Sequence, residues 1–264
     1  MKNTLFRYSA VLITGGSSGI GASFLDSIIN LDQNVLICNL SRQKPKRDIS
    51  IERFYHFSCD LARAENIERV FPQVCDLLKE KQPDGPLLLI NNSGFGSYGD
   101  FQDLDLSNQL NMVAVNVCAV VHLTGLFLPL LLERSGAVIN IASTAAFQPT
   151  PYMATYGATK SFLLNWTLAL GEDLKGRGVK MLAVCPGPTE TNFFKLAGSD
   201  LGSNYRLSVE QVVDLTWKAL ERRKSFVVIG LINRLISCLV RWMPLSLATR
   251  ISGMVLRRVR NKEV

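Results

Sequence analysis

The segment TGGSSGIG, residues 14–21, decides the fold of this chain. It follows directly on a short apolar run and leads directly into a stretch with helical spacing. In such a segment Gly15 permits a tight turn, Gly19 lets the backbone approach a pyrophosphate, and Gly21 lets the helix pack closely on the strand. Free N–H groups at the start of the helix face the negative charge. An ordinary loop is the alternative, but the strand–turn–helix context favours a dinucleotide-binding turn. Ser17, Ser18 and Ile20 belong to the same turn and are predicted to contact the cofactor with the glycines.

Apolar runs alternate with helical stretches along most of the chain. Seven runs predict buried strands, at residues 10–14, 34–40, 54–59, 87–90, 137–142, 179–185 and 225–229. Helical spacing predicts helices at residues 20–31, 62–81, 106–132, 155–175 and 208–223. Continuous apolar strands between helices are typical of a parallel sheet that is covered on both faces. We therefore predict an α/β fold in which residues 1–229 form one doubly wound, Rossmann-like domain with a parallel seven-stranded sheet. Its ligand is expected at the carboxyl ends of the strands.

Composition narrows the class of protein. The 264 residues are 47% hydrophobic and 19% charged, which suits a large buried core and excludes a disordered chain. The six cysteines are scattered without metal-ligand or redox spacing, which predicts no metal site and indicates a reducing, cytoplasmic environment. We find no run of the length and composition of a signal peptide or a bilayer-spanning segment.

The net charge of +7 is concentrated near the C-terminus. From Arg222 to the end, ten Lys or Arg stand against one acid, whereas the preceding 221 residues carry 19 bases and 21 acids. Because the body of the domain has no basic stripe, nucleic acid is not expected as a partner. The C-terminal extension, residues 230–264, is predicted to form two amphipathic helices separated by Pro244. The favoured interpretation packs them on the domain with their basic face in water, and peripheral contact with an anionic membrane is the alternative.

The end of the second predicted strand bears on the choice of cofactor. In dinucleotide folds an acid at this position bonds the adenine ribose, whereas a base accommodates a 2′-phosphate. The sequence here reads Asn39, Leu40, Ser41 and Arg42, and further bases follow at Lys44, Lys46 and Arg47. Ser41 and Arg42 are therefore predicted to contact the ribose, and the lack of a carboxylate favours NADP(H). The alternative is NAD(H), with Arg42 and its neighbours forming a solvated basic loop.

Further motifs follow the predicted strands in order: NNSG at 91–94, Asn116 in the long helix, Ser143 after the fifth strand, YGATK at 156–160 and PGPTET at 186–191. Together with TGGSSGIG, this ordered set resembles the short-chain dehydrogenase/reductase family over about residues 10–229. Residues four apart on a helix share a face, so Lys160 is expected beside Tyr156. A free phenol titrates near about 10 and an adjacent ammonium favours the phenolate, so Lys160 is expected to lower the pKa of Tyr156.

The resemblance implies catalytic roles for four side chains. Tyr156 donates a proton to the carbonyl oxygen in reduction, or takes it from the alcohol in oxidation, and Ser143 holds the same oxygen. Lys160 lowers the pKa of the tyrosine and bonds the nicotinamide ribose, while Asn116 places a water that connects Lys160 to solvent. From the residues alone, Ser143 also fits a turn at a strand end, and Asn116 also fits a satisfied polar group in a helix.

The resemblance also implies the cofactor contacts. Besides the glycine-rich segment and the residues at the ribose, they are Asp60, Leu61, Asn92, Ser93, Gly94, Tyr156, Lys160, Pro186, Gly187, Thr189 and Thr191. Ser93 replaces the alanine that is usual in the family, which is a small change. Asp60 alternatively fits a cap on the following helix, and Thr191 fits an N-cap as well.

The implied function is NADP(H)-dependent transfer of a hydride to or from the carbonyl or secondary alcohol carbon of a small substrate. A lid at about residues 192–207 and two loops offer apolar side chains for that substrate, namely Phe193, Phe194, Leu196, Tyr98, Pro149, Pro151 and Tyr152. The substrate is therefore expected to be largely apolar. Family members pair through the helices that hold Asn116 and Tyr156, which implies a homodimer or homotetramer.

Other functions stay open at this stage. One is an NAD-dependent alcohol dehydrogenase on the same site. Another is a nicotinamide-dependent epimerase or dehydratase, for which the residues after Cys185 are too few to form the usual substrate domain. The third is a non-catalytic dinucleotide-binding relative, which would be expected to lack Tyr156 or Lys160.

Overall fold

The structure is a computed structural model of the protein, and it describes residues 8–31, 34–45, 49, 51–198 and 206–260, without the side chains of Leu31 and residues 258–260. The strands within these ranges are β1 (Ala10–Thr14), β2 (Leu36–Ser41), β3 (Phe54–Ser58), β4 (Leu87–Asn91), β5 (Ala137–Ile141), β6 (Lys180–Cys185) and β7 (Phe226–Val228). They form one sheet in the order β3-β2-β1-β4-β5-β6-β7, with every neighbouring pair parallel. The predicted α/β fold with a parallel seven-stranded sheet is therefore confirmed, with strand ends displaced by at most two residues.

The helices cover both faces of the sheet. They are α1 (Gly19–Leu31), α2 (Ala64–Lys81), α3 (Leu106–Val113), α4 (Ala119–Glu133), α5 (Ala154–Asp173), α6 (Phe193–Leu196), α7 (Val209–Glu221), α8 (Leu231–Arg241) and α9 (Leu245–Arg260). Local sequence explains their starts: Ser208 and Gln211 form a capping box at α7, and the Asp105 carboxylate caps α3. The sheet reverses its strand order between β1 and β4, where a doubly wound fold places its ligand crevice.

The long helix predicted at residues 106–132 is interrupted. A π-helical turn, Ala114–Cys118, separates α3 from α4, and Asn116 lies in it. Such turns insert one extra residue into a helix and are frequent at functional sites. The apolar pattern did not reveal the turn, because apolar residues continue through it at Ala114, Val115 and Val117.

The core consists of apolar layers on the two faces of the sheet. On the face covered by α1 and α7, Trp217 is fully buried, meets the Phe24 ring edge-on at 5.2 Å and donates its indole N–H to the Ser27 hydroxyl at 2.9 Å. On the other face, Val70 of α2 and Leu123 of α4 are buried against the strands. The strand ends are thereby held rigidly, which places the polar residues that follow them.

The stretch Leu106–Glu133 is long and apolar enough to cross a membrane by length and composition alone, and an 18-residue window within it has a mean hydropathy of 2.1. The sequence interpretation, which found no such run, is wrong on this point. Leu123, Phe127 and Leu131 of this stretch are buried in the core layer beside the sheet. The stretch therefore covers the sheet, as a core helix of an α/β domain does.

The C-terminal extension forms α8 and α9 and lies against the carboxyl ends of the strands. Ser237 and Ala248 are buried there, at 4% and 3% exposure. The Tyr98 hydroxyl donates a hydrogen bond to the Leu256 carbonyl at 2.7 Å, which ties α9 to the loop after β4. The extension thus stands next to the crevice, a position that its sequence does not reveal.

Candidate active site

The glycine-rich turn joins β1 to α1 at the crevice. Gly15 and Gly19 have φ angles of 69° and 55°, a region that glycine enters without steric cost. A side chain at Gly21 would collide with the Gly15 carbonyl, so only glycine lets α1 approach this closely. The Asn92 side-chain amide donates to the carbonyls of Thr14 and Gly15, at 3.0 and 3.2 Å. The turn is therefore preorganised by its own glycines and by the end of β4.

Tyr156 and Lys160 lie one helical turn apart at the start of α5, on the side that faces the crevice. The Lys160 Nζ is 5.7 Å from the centre of the Tyr156 ring and donates to the Ile141 carbonyl at 2.7 Å. Ser143, two residues after β5, hydrogen-bonds the Tyr156 phenol. Both Tyr156 and Lys160 are buried, at 9% and 4% exposure. The structure thus brings three of the four predicted catalytic side chains together at the cleft wall.

Asn116 reaches the same cluster from the π-helical turn. Its carboxamide accepts from the Phe95 N–H at 3.1 Å and donates to the Phe95 carbonyl at 3.0 Å. It also donates to the Thr159 hydroxyl at 3.1 Å, and that hydroxyl donates to the Tyr156 carbonyl at 2.7 Å. Asn116 therefore ties the loop after β4 to the helix that carries Tyr156, and it is fully buried behind the crevice.

The pKa of Tyr156 differs from the sequence expectation. Burial raises the pKa of the phenol to about 12, and the hydrogen bond from Ser143 opposes that rise. Burial also lowers the pKa of Lys160 to about 8. The expectation that Lys160 makes the phenol more acidic is wrong for the protein without ligand, because burial disfavours the charged phenolate. An acidic Tyr156 needs a further positive charge at the site.

The buried lysine predicts a pH dependence of stability. Between pH 8 and 10.5, the folded and ordinary pKa values of Lys160, the unfolded chain binds a proton that the native protein does not. Raising the pH through this window therefore stabilises the native state, and the contribution is lost as the pH falls through 8. The free energy of unfolding of the wild type, minus that of Lys160→Met, is expected to rise by on the order of 3 kcal/mol across the window. Urea denaturation of both proteins across the window measures it, and a difference that stays flat or falls contradicts the burial of a titrating lysine.

The crevice opens into a cleft of about 1480 Å³. Most of the predicted site residues line it, namely Gly15, Ser17, Ser18, Gly19, Ile20, Ser41, Arg42, Asp60, Leu61, Asn92, Ser93, Gly94, Ser143, Tyr156, Lys160, Pro186, Gly187, Thr189 and Thr191. Of the predicted set, Gly21 and Asn116 do not line it, because both are buried in the packing behind it. A single small-molecule pocket measures roughly 300–1,000 Å³, so this cleft has room for a dinucleotide together with a substrate.

Several predicted cofactor residues also have structural hydrogen bonds. Asp60 accepts from the Ala62 N–H at 3.1 Å, a turn just before α2, whose N-cap is Arg63. Thr191 accepts from the Phe193 N–H at 3.2 Å, and Thr189 donates to the Gly187 carbonyl at 2.9 Å. These hydrogen bonds hold the loops in place, and Asp60, Thr189 and Thr191 still line the cleft.

The adenine end of the cleft carries two arginines. Ser41 is buried and donates to the Gln43 carbonyl at 2.8 Å, whereas Arg42 is exposed at the cleft wall. Arg63 also lines the cleft and is exposed, a position that the sequence analysis missed. Lys44 is not among the lining residues, and Lys46 and Arg47 lie outside the described ranges. Asn39 is fully buried and accepts from the Gly16 N–H at 3.0 Å, so it supports the glycine-rich turn from β2.

The substrate end of the cleft is largely apolar. As predicted, Phe193, Phe194 and Leu196 line it, and the Phe193 ring lies 5.1 Å from the Tyr156 ring. The loops contribute Phe95, Gly96, Gln148, Thr150 and Met153, instead of the predicted Tyr98, Pro149, Pro151 and Tyr152. Tyr98 points towards α9 and anchors it. Part of the predicted lid, residues 199–205, lies outside the described ranges.

The extension completes the wall at this end. Residues of α8, α9 and the turn between them line the cleft: Ile236, Val240, Met243, Ala248, Ile251, Ser252, Val255 and Leu256. The Asn233 side chain stands against Gly187 and donates to the Ile229 carbonyl at 2.8 Å. This position of α8 and α9 in the cleft wall could not be predicted from the sequence, because helical periodicity does not tell which part of the domain a helix contacts.

Comparison with known proteins gives the class. A family model described as short chain dehydrogenase matches residues 9–201. Ketoacyl reductase HetN of Nostoc sp. is 30% identical over 249 residues, which cover 86% of this chain and 80% of that protein. 2-(S)-Hydroxypropyl-CoM dehydrogenase 3 of Xanthobacter autotrophicus is 29% identical over 209 residues, which cover 76% and 79%. A solved short-chain dehydrogenase from Sphingobium yanoikuyae in complex with NADPH is 28% identical, with a TM-score of 0.74 and coverage of 84% of this chain and 88% of that one.

This chain belongs to the short-chain dehydrogenase family. It is an oxidoreductase that uses a nicotinamide dinucleotide.

Proposed function

We propose that the protein transfers a hydride between NADP(H) and the carbonyl or secondary alcohol carbon of a small apolar substrate, with Tyr156 as the proton-transfer group. The observation that carries the proposal is the convergence of Tyr156, Ser143 and Lys160 at the end of β5, beside the glycine-rich turn. When bound, the nicotinamide supplies or accepts the hydride. The side chains of this protein provide the proton and hold the reacting oxygen.

Ser143 and Tyr156 both line the cleft and offer their hydroxyl groups to a substrate oxygen. In reduction the Tyr156 phenol gives its proton to the carbonyl oxygen as charge develops there, while the Ser143 hydroxyl donates a hydrogen bond to that oxygen. In oxidation the same phenolic oxygen takes the proton from the alcohol. Ser143 also acts on the phenol itself, since its side-chain hydrogen bond opposes the rise in the pKa of Tyr156 that burial causes.

Lys160 supplies positive charge next to the phenol. Its pKa of about 8 leaves it mostly protonated at neutral pH, and its remaining N–H groups are available to a ribose hydroxyl. Oxidised nicotinamide is itself cationic, so its binding adds the second positive charge that the buried phenol needs. Asn116 acts behind Lys160, as a positioning residue that holds the start of α5 through Thr159.

The preference for NADP(H) rests on the adenine end of the cleft. Arg42 and Arg63 both line it, and a guanidinium suits a 2′-phosphate because it offers a planar set of donors. The solved relative from Sphingobium yanoikuyae binds NADPH, which agrees with this choice.

Replacing Arg42 tests that preference. In Arg42→Ala, kcat/KM for NADPH is expected to fall about ten- to a hundredfold, the value of a hydrogen bond to a charged group, while kcat/KM for NADH changes little. Steady-state kinetics with both cofactors measures the ratio. The matched control is Lys44→Ala, which removes a nearby exposed base outside the cleft wall and should leave the ratio unchanged. An equal loss with both cofactors would refute a contact with the 2′-phosphate.

The proposed partners are the substrate and further copies of this chain. Leu106, Leu110 and Val113 of α3 are exposed at 62%, 63% and 37%, and Val121 of α4 at 38%. These helices flank Asn116, so their apolar surface supports pairing into a homodimer or homotetramer. We place the enzyme in the cytoplasm, and neither nucleic acid nor a metal ion has a role in the proposed chemistry.

A substrate panel tests the proposed function. The purified protein is mixed with NADPH and ketones of increasing apolar size, or with NADP⁺ and the matching alcohols, and the NADPH absorbance is followed. We expect turnover with apolar ketones, and about a thousandfold less or lower still from Tyr156→Phe. Tight NADPH binding without turnover on any substrate would instead indicate a binding protein.

A further inference from the structure

Helix α8 presents its most apolar face away from the domain. Leu231, Leu235, Leu239 and Trp242 are spaced by four, four and three residues, so they share one face of the helix. Their exposures are 80%, 65%, 67% and 88%. A single exposed leucine is ordinary, but an aligned stripe ending in an almost fully exposed tryptophan marks an interaction surface.

The opposite face of α8 makes the contacts with the domain. Ser237 is 4% exposed, and Asn233 hydrogen-bonds the Ile229 carbonyl beside Gly187. Helix α8 therefore contacts the domain through Asn233 and Ser237 and points its leucines outward. A helix on the surface of a soluble domain usually turns its apolar face to the core and its polar face to water.

Helix α9 also exposes large apolar side chains. Leu245 and Leu247 at its start are exposed at 68% and 46%, and Met254 and Val255 further along at 59% and 57%. Helix α9 is anchored through Ala248, which is buried. These two consecutive helices, joined at residues 242–244, are called the hairpin α8–α9 below, and each of them exposes large apolar side chains.

The charge around this hairpin has one sign. From Arg222 to Arg260 the sequence contains nine Lys or Arg and no Asp or Glu. Those with described side chains inside the hairpin, Arg234, Arg241, Arg250 and Arg257, are all exposed. An apolar stripe bordered by arginines, with a tryptophan at its end, is typical of a helix that lies in the interface of a membrane.

We propose that the hairpin α8–α9 docks on an anionic phospholipid bilayer. The leucines and Trp242 enter the boundary between headgroups and acyl chains, and the arginines meet the lipid phosphates. A second copy of this chain fits less well, because symmetric pairing of one patch with itself would bring the like charges together. The sequence alone favoured packing of the two helices on the domain over contact with a membrane. Here the membrane is favoured, because the leucines are exposed as well as the arginines.

Docking has a consequence for the substrate, which rests on the proposed function. The hairpin that carries the exposed stripe also forms one wall of the cleft, through Ile236, Val240, Ile251 and Val255. Ile236 and Val255 are themselves 52% and 57% exposed, so this wall reaches the protein surface next to the stripe. The cleft then opens towards the bilayer, and its substrates are lipophilic ketones or alcohols dissolved in the membrane.

Sedimentation with vesicles tests the docking independently of activity. The full chain is mixed with vesicles of phosphatidylcholine alone, or with added phosphatidylglycerol, and its depletion from the supernatant is measured. We expect binding to the anionic vesicles that weakens with salt, and at least about a tenfold weaker partition for Leu235→Gln/Trp242→Gln. Neither residue lines the cleft, so this variant should keep its turnover of a water-soluble ketone.

The matched control removes one leucine and one aromatic residue elsewhere on the surface. Phe101 and Leu215 are 61% and 37% exposed, and Phe101→Gln/Leu215→Gln should bind vesicles like the wild type. Equal binding by Leu235→Gln/Trp242→Gln and the wild type, or no binding to anionic vesicles, overturns the proposal. A loss of dimer in the hairpin variant without any vesicle binding would assign the surface to a second copy and overturn it too.

Trp242 provides a direct readout of insertion. The chain has three tryptophans, of which Trp217 is fully buried and Trp166 is half-buried in the domain. Brominated lipids in the anionic vesicles are expected to quench the fluorescence of the wild type, and Trp242→Phe should lose that quenching. Quenching that persists in Trp242→Phe would show that another surface touches the bilayer. If vesicles bind but a membrane-dissolved ketone is turned over no faster than a soluble one, the docking stands and the substrate consequence fails.

Discussion

Replacing Tyr156 by phenylalanine is expected to lower kcat by about a thousandfold or more, because it removes the one proton that the site can give to a carbonyl oxygen. The ring itself packs on Phe193 at 5.1 Å, and phenylalanine keeps that contact. The variant should therefore fold and bind NADPH nearly as the wild type does. Stopped-flow NADPH oxidation with the best ketone of the panel measures kcat, and fluorescence titration measures cofactor binding.

A second tyrosine close by serves as the control for this variant. Tyr152 lies four residues earlier, its ring is tilted against that of Tyr98 with the centres 6.0 Å apart, and it does not line the cleft. Tyr152→Phe removes the same hydroxyl group and should keep kcat within about twofold, as surface substitutions away from a site do. If Tyr156→Phe retained a tenth or more of the wild-type kcat, the proton would have to come from another group or from water.

Replacing Lys160 by methionine is expected to lower kcat/KM by roughly a hundred- to a thousandfold. Methionine fills a similar volume but removes the ammonium that offsets the buried phenolate, and it leaves the Ile141 carbonyl without its 2.7 Å partner. KM for the cofactor should rise at the same time, since a ribose contact is lost. The pH profile of alcohol oxidation should shift to higher pH, because a more weakly stabilised phenolate needs a more alkaline solution to form.

Replacing Lys175 by methionine is the matched control for Lys160→Met. Lys175 follows α5, its side chain is 74% exposed and it pairs with Glu172 at 2.8 Å in solvent. Lys175→Met should leave both kcat/KM and the pH profile unchanged, because an exposed ion pair contributes little. An unaltered pH profile in Lys160→Met would mean that the lysine has no electrostatic effect on Tyr156.

The sheet and most of the cleft lining could be predicted from the sequence for a physical reason. In a parallel sheet, residues that directly follow a strand meet at one edge, so TGGSSGIG, NNSG, Ser143 and the segment at 186–191 converge without any knowledge of the loops. The spacing of Tyr156 and Lys160 likewise places both on one helical face. These are local rules, and the structure obeys them.

The remaining features depend on packing between distant segments. The pKa of Tyr156 is governed by burial under Phe193 and the neighbouring loops, which the four-residue spacing to Lys160 does not encode. The contact of Asn233 with Gly187 joins segments more than forty residues apart. The periodicity of α8 shows an apolar face but not that this face points to solvent. Arg63 was missed because nothing in its local sequence places it at the wall of the cleft.

The central claim is that positive charge in the cleft brings the buried Tyr156 phenol into the range where it exchanges a proton. Ultraviolet difference titration of phenolate, wild type minus Tyr156→Phe, measures that ionisation directly, with and without NADP⁺. The predicted result is a phenol that titrates near 12 in the protein alone and moves towards neutral pH when NADP⁺ is bound. The same midpoint in both conditions would contradict the claim.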